Sequence, residues 1–198
     1  MSHYFKNDAT LDHDVDIFHV TILNNQFSFY TDKGVFSKRG LDYGSKVLIE
    51  NLKIDPNIKQ VLDVGCGYGP IGLSIAKAHP NLFVTMVDIN ERAINLARKN
   101  AEKNNVSNVE IKSSDLFSNV SGTYDLIISN PPIRAGKQII FKLYEHAEKH
   151  LKKGGLLCVV IQKKQGAPST FEYLKTLFSS VEVVEKDKGY WVILSKKQ

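Results

Sequence analysis

The chain has 198 residues, 42% of them hydrophobic, enough to bury a full core and close to the upper size of one ordinary domain. Lys and Arg number 26 against 21 Asp and Glu, a formal charge of +5 that suits a polyanionic partner and plain solubility equally. Cys66 and Cys158 lack ligand spacing, residues 1–18 carry aspartates but no apolar leader, and no long apolar run occurs, so a structural metal, secretion and membrane insertion are all disfavoured and a reduced, cytoplasmic protein is expected.

Residues 1–58 read as an extension packed on a core of 59–198, the two forming one domain. In the extension, strands over 18–22 and 27–30 are expected to pair around Asn24-Asn25. A helix is expected over 41–52, ended by Asp55-Pro56. From Val61 onward strand-like runs at 61–64, 82–87, 109–112, 124–129 and 156–161 alternate with helix-like stretches at 71–79, 91–104, about 137–151 and 169–178. In the stretch 91–104, Ala93, Ile94, Ala97 and Ala101 recur at spacings of three and four and share one helical face. Such alternation predicts an α/β fold with a mostly parallel sheet covered on both sides. The tail departs from it: runs at 181–185 and 190–195, separated by Lys186-Asp187-Lys188-Gly189, predict an antiparallel hairpin at one edge of the sheet.

Chemistry-bearing residues cluster where strands end. Asp63-Val64-Gly65-Cys66-Gly67-Tyr68-Gly69 follows a strand and precedes a helix. Its glycines permit a tight turn and let a ligand approach the backbone. Asp88 ends the next strand, where a carboxylate suits the hydroxyls of a ribose, with Ile89 either against an adenine or in the core. Asp115-Leu116 follows the third strand, either to receive an adenine amine with Leu116 against the ring or to cap the next turn. The loop lacks the G-x-G-x-x-G spacing of dinucleotide sites, and Asp63 suits an ammonium better than a pyrophosphate. A cofactor with an amino-acid part, a sulfonium and an adenosine fits these residues: S-adenosylmethionine. Cys66 has no partner base and reads as a small tolerated side chain.

Asn130-Pro131-Pro132-Ile133 leaves the strand 124–129 on the same edge. Two prolines fix the backbone and remove its donors, so the Asn130 side-chain oxygen and the Pro131 carbonyl remain as acceptors for the amine of a planar substrate. Holding that amine with its lone pair toward a methyl group, and stabilising positive charge as it develops on nitrogen, requires neither a histidine base nor a cysteine nucleophile. Lys163 and Lys164, with Arg134, Lys137, Lys33, Lys38 and Arg39, form either a basic rim for RNA phosphates or an ordinary solvated surface. Lys149, Lys152 and Lys153 are expected to end a helix, where cations favour its dipole. Trp191 is expected to pack in the core.

These motifs, together with His3-Tyr4-Phe5, the run from Phe27 to Ser37 and Leu41-Asp42-Tyr43-Gly44-Ser45, resemble the class I methyltransferases. Within them they are similar to the small-domain group that includes the 16S ribosomal RNA guanine-N2 enzymes, and the resemblance covers nearly the whole chain. It implies a Rossmann-like sheet of seven strands in the order 3-2-1-4-5-7-6. It also implies a small-ribosomal-subunit RNA partner, Phe36 near the methyl donor or target base, Asp42 supporting the loop around the cofactor, and Arg134 meeting a phosphate or stacking on a base. Two departures stand out: larger bacterial relatives have two tandem domains, and Ile133 replaces the aromatic residue common at that motif position. Transfer to guanine N2 is therefore the expected activity, with a monomer favoured. Adenine N6, a protein glutamine amide, or a non-catalytic RNA-binding role are the alternatives.

Overall fold

The computed structural model describes residues 15–32 and 40–198, the side chain of Arg134 excepted. In chain order the elements are β1 (Asp16–Ile22), β2 (Asn25–Thr31), α1 (Tyr43–Asn51), β3 (Gln60–Val64), α2 (Pro70–Ala78), β4 (Phe83–Asp88), α3 (Glu91–Lys103), β5 (Val109–Ser113), β6 (Tyr124–Ser129), α4 (Lys137–His150), β7 (Leu151–Gln162), α5 (Ala167–Leu177), β8 (Ser180–Asp187) and β9 (Tyr190–Lys196). Short 3-10 turns at Ile133–Ala135 and Lys163–Gln165 interrupt the connections after β6 and β7.

The short runs β3, β4 and β6 are nearly continuous in apolar side chains because both of their faces are covered. They lie in a seven-stranded sheet ordered β5-β4-β3-β6-β7-β9-β8. Counting from β3 as the first core strand, this is the order the resemblance implies. β3, β4, β5, β6 and β7 run parallel, and β9 joins β7 antiparallel with β8 outside it. Apolar side chains form two layers on opposite faces. One joins α1, α2 and α3 with Phe27 and Phe29 of β2, and the other joins α4 and α5.

The alternating pattern of β2 buries Phe27, Phe29 and Thr31 and turns Ser28 and Tyr30 the other way. β1 pairs with one edge of β2, and α3 satisfies the backbone along the other. The Asn100 amide accepts from Tyr30 N at 2.7 Å and donates to Tyr30 O at 3.0 Å, while Asn104 accepts from Ser28 N at 2.9 Å and donates to Ser28 O at 3.0 Å. Four helical residues advance about 6 Å and two strand residues about 6.8 Å. Asparagines four apart on a helix therefore match every second residue of a strand and stand in for a neighbouring strand.

The expected helix 41–52 begins later, at Tyr43, because Asp42 caps it: its Oδ2 accepts from Ser45 N at 2.9 Å. A larger difference lies between α4 and β7. Lys152 and Lys153 do not end the helix, since β7 already begins at Leu151, which pairs with Tyr124. Lys152 instead meets Asp125 at 2.8 Å, and that carboxylate also accepts from Lys59 N and Gln60 N. The pairing register shifts between Tyr124 and Leu126, which accommodates the Lys152-Lys153-Gly154-Gly155 excursion inside one long strand. Among the described residues no helix is long and apolar enough to cross a membrane.

Candidate active site

Parallel strands deliver their carboxyl ends to a common edge, and in this chain that edge collects the Gly65 loop after β3, Asp88 at the end of β4, Asp115 after β5, Asn130 after β6 and Lys163 after β7. Cross-links hold these ends in fixed relation. Gly65 N and Cys66 N donate to Val87 O at 2.8 and 3.0 Å, Ser114 N donates to Asp88 O at 2.9 Å, and the buried Ser129 hydroxyl donates to Val64 O at 2.7 Å. The last bond ties the residue before Asn130 directly to the root of the glycine loop. Nothing in the sequence pattern marks it, because a serine at a strand end has no periodic signature.

The loop itself is braced from beneath. Asp88 Oδ2 accepts from Gly67 N at 2.8 Å and its Oδ1 from Asn90 N at 2.9 Å, while Asn90 caps α3. Asn100 also donates to Tyr68 O at 2.9 Å, so the helix that secures β2 secures the glycine loop as well. Gly69 adopts a φ of +100°, and a Cβ there would lie 2.8 Å from Leu73. Gly65, at φ +75°, is exposed and a Cβ would meet nothing within 4 Å. One glycine serves packing, whereas the other leaves open space above the strand end.

Asp63 is fully buried, and only one of its oxygens is engaged: Oδ2 accepts from Gly72 N at 2.9 Å, and Oδ1 has no hydrogen-bond partner. Burial raises its pKa from an ordinary 3.8 to about 7, with the Gly72 bond opposing and the nearby Asp88 charge adding to the rise. Cys66 is buried beside both carboxylates, and burial, then Asp88, then Asp63 push its thiol well above the usual range.

Asp115 is exposed, and its backbone N–H donates to Ser118 Oγ at 3.2 Å, while the following Leu116 takes a φ of +49°. A leucine in the left-handed region is uncommon and marks a constrained turn. Ile89 is half-buried beside Asp88.

At the reactive end, Pro131 is buried and Asn130, Pro132 and Ile133 are half-buried. Pro132 O accepts from Ala135 N at 2.8 Å as the chain enters its 3-10 turn. The Asn130 amide nitrogen donates to Asp42 Oδ2 at 2.7 Å and to Ser45 Oγ at 3.0 Å. A carboxylate only accepts, so the nitrogen must face it and the amide oxygen faces away. The motif makes Asn130 a candidate and the resemblance gives Asp42 a place by the cofactor loop, but neither predicts their bond, whose local signal is an Asp followed three positions later by Ser at a helix start.

Phe36, Lys33, Lys38, Arg39 and the segment His3-Tyr4-Phe5 lie outside the described residues. Lys163 and Lys164 line a groove of about 520 Å³ with Gln162, Pro168, Lys188 and Gly189. The groove is held together where Lys163 N donates to Gly189 O at 2.7 Å. Trp191 is half-buried against the α4–α5 layer, with the Lys186 ammonium 4.2 Å from its ring.

A strand-end glycine loop, acidic residues after successive strands and an Asn-Pro-Pro turn on one edge define a methyltransferase. The methyltransferase small domain family model matches residues 26–194, and the chain belongs to that family. It is 46% identical over 198 residues to the uncharacterized protein YbxB of Bacillus subtilis, covering 98% of each. It is 39% identical over 171 residues to ribosomal RNA small subunit methyltransferase C of Haemophilus influenzae, covering 84% of this chain and 49% of that one. The chain thus spans about half the length of those ribosomal RNA relatives. In fold it is similar to the solved T. thermophilus 16S rRNA N2 G1207 methyltransferase in complex with AdoMet and guanosine. That likeness has a TM-score of 0.83 at 24% identity and covers 93% of this chain and 51% of that one.

Proposed function

We propose that the chain transfers a methyl group from S-adenosylmethionine to the exocyclic N2 amine of a guanine in small-subunit ribosomal RNA. The observation that carries the proposal is the Asn130 amide, fixed by Asp42 and Ser45 so that its oxygen is the free acceptor on the sheet edge shared with the glycine loop. The ribosomal RNA relatives, which match the chain over 84% of its length, support the substrate class.

Two features fit the cofactor. Open space stands above Gly65, and the buried, unpaired Asp63 Oδ1 is available to a cationic amino group through water or directly. Asp88 suits the ribose hydroxyls, and Asp115 with Leu116 the adenine. When bound, S-adenosylmethionine supplies an electrophilic methyl group on its sulfonium. The chain's own residues then orient the acceptor. The N2 amine donates its two protons to Asn130 Oδ1 and the Pro131 carbonyl, which directs the nitrogen lone pair at the methyl and stabilises the charge forming on nitrogen. The S–CH3 bond breaks as the N–CH3 bond forms, leaving S-adenosylhomocysteine, and the now acidic nitrogen then gives its surplus proton to solvent water, so no strong base is needed. Ile133 offers apolar contact to the flat base, and Lys163 and Lys164 offer sequence-independent contact to RNA phosphates.

Replacing Asn130 by Ala tests the proposal. Single-turnover transfer to undermethylated small subunits is expected to fall by about a hundredfold or more, with cofactor affinity changed no more than a few-fold. Undiminished turnover by Asn130→Ala contradicts the acceptor role.

A further inference from the structure

We infer that Asp42 is a positioning residue for the reaction, acting through Asn130 by fixing which end of its amide faces the substrate and by making that end a stronger acceptor. The inference rests on the role proposed above for Asn130. An asparagine side chain is ambiguous at a catalytic position: rotated by a half turn it presents N–H donors where the incoming amine, itself a donor, needs an acceptor. The bond from Asn130 Nδ2 to Asp42 Oδ2 at 2.7 Å removes that ambiguity, and the Ser45 hydroxyl at 3.0 Å adds a second acceptor for the same nitrogen.

The carboxylate does more than select an orientation. An amide that donates to an anion shifts electron density toward its own oxygen, the cooperative strengthening expected along a chain of hydrogen bonds in a partly desolvated site. Oδ1 is thereby most negative where positive charge develops on the substrate nitrogen. This holds only if Asp42 is itself immobile, and several independent contacts make it so. Its Oδ2 accepts from Ser45 N at 2.9 Å as the cap of α1. The next residue, Tyr43, donates its hydroxyl to Asp187 Oδ2 at 2.5 Å. Gly44 lies so close to the Tyr190 ring that a Cβ would sit 2.9 Å from it. The start of α1 is thus wedged against the β8–β9 hairpin, and the hairpin at the far edge of the sheet becomes part of the support for the reacting turn.

The test is a double-mutant cycle on the full chain, with single-turnover transfer of a tritiated methyl group to undermethylated small subunits as readout. Cofactor dissociation constant, RNA KM and melting temperature are recorded for every variant. Asp42→Ala is expected to lower the rate by about tenfold to a hundredfold while the cofactor constant and the KM move no more than about twofold. Asp42→Asn, which keeps an oxygen able to cap α1 and to face Asn130 but removes the charge, is expected to recover part of that loss. In the Asn130→Ala background Asp42→Ala is expected to change the rate little, because the residue through which it acts is gone. Equal losses in the two backgrounds, an unchanged rate in Asp42→Ala, or a rate loss that follows the melting temperature alone overturns the inference. Should transfer by Asn130→Ala fall below detection, the division between kcat and KM in the single variants decides the same question. Full activity of Asn130→Ala would instead contradict the underlying assignment, a separate and recognisable result.

Discussion

Asp63 is the residue whose environment is most out of balance. Its carboxyl is buried with one oxygen unpartnered and titrates near pH 7, so ionising it in the cofactor-free protein is costly. The sign follows from the raised native value. Below the ordinary 3.8 both folded and unfolded chains hold the proton. As the pH climbs from there to about 7 the unfolded chain loses it first, and the folded state is progressively disfavoured. Thermal melts of the cofactor-free protein are expected to show that loss of stability up to about pH 7 and a level contribution beyond, with Asp63→Asn removing it. A cationic amino group brought near Asp63 lowers its pKa again. Cofactor binding at neutral pH is therefore expected to release protons, measurable as a dependence of the calorimetric heat on buffer ionisation enthalpy, and to release fewer in Asp63→Asn. Proton uptake, or a release unchanged in the variant, contradicts an ammonium at this site.

Among the elements, the turn from β3 into α2 divides its glycines between two duties. Gly69→Ala drives a Cβ into Leu73 at 2.8 Å and Met86 at 3.1 Å at a φ of +100°. A stability loss of about 2 kcal/mol or more is expected from overpacking and backbone strain together. Gly65→Ala meets no atom within 4 Å and carries only the strain of its φ of +75°. That change is expected to cost about 1 kcal/mol in a melt while cutting cofactor affinity at least tenfold, because the methyl group enters the space left for the ligand. Retained affinity in Gly65→Ala contradicts the cradle. The strands and helices were legible from periodicity: Ala93, Ile94, Ala97 and Ala101 are all buried on the face their spacing assigns them. Less legible were features carried by single polar side chains. Asn100 and Asn104 sit in a helical pattern that shows only its apolar face, yet they stand in for a strand beside β2. Ser129 and Asp42 reach across 65 and 88 residues to their partners, distances over which no local pattern carries information. Lys152 looked like a helix-ending cation because its partner Asp125 lies in a different strand.

Across the whole molecule, the parallel sheet brings residues scattered from position 42 to position 164 to one edge, where the glycine loop after β3, the Asn130 turn after β6 and the lysines after β7 leave their strands. The net charge of +5 is too small to indicate RNA by itself. The groove lined by Lys163, Lys164 and Lys188 is where the proposed function puts contact with RNA phosphates. The antiparallel β8–β9 hairpin, remote in sequence from the glycine loop and the Asn130 turn, packs against the start of α1 through Tyr190 and Asp187. The most direct measurement is transfer of a labelled methyl group from S-adenosylmethionine to small ribosomal subunits lacking this modification, followed by nuclease digestion and chromatographic identification of the labelled nucleoside. N2-methylguanosine is the expected product, formed with S-adenosylhomocysteine in equal amount. Label in N6-methyladenosine, in a ribosomal protein, or nowhere, while the chain binds the cofactor, would contradict transfer to guanine.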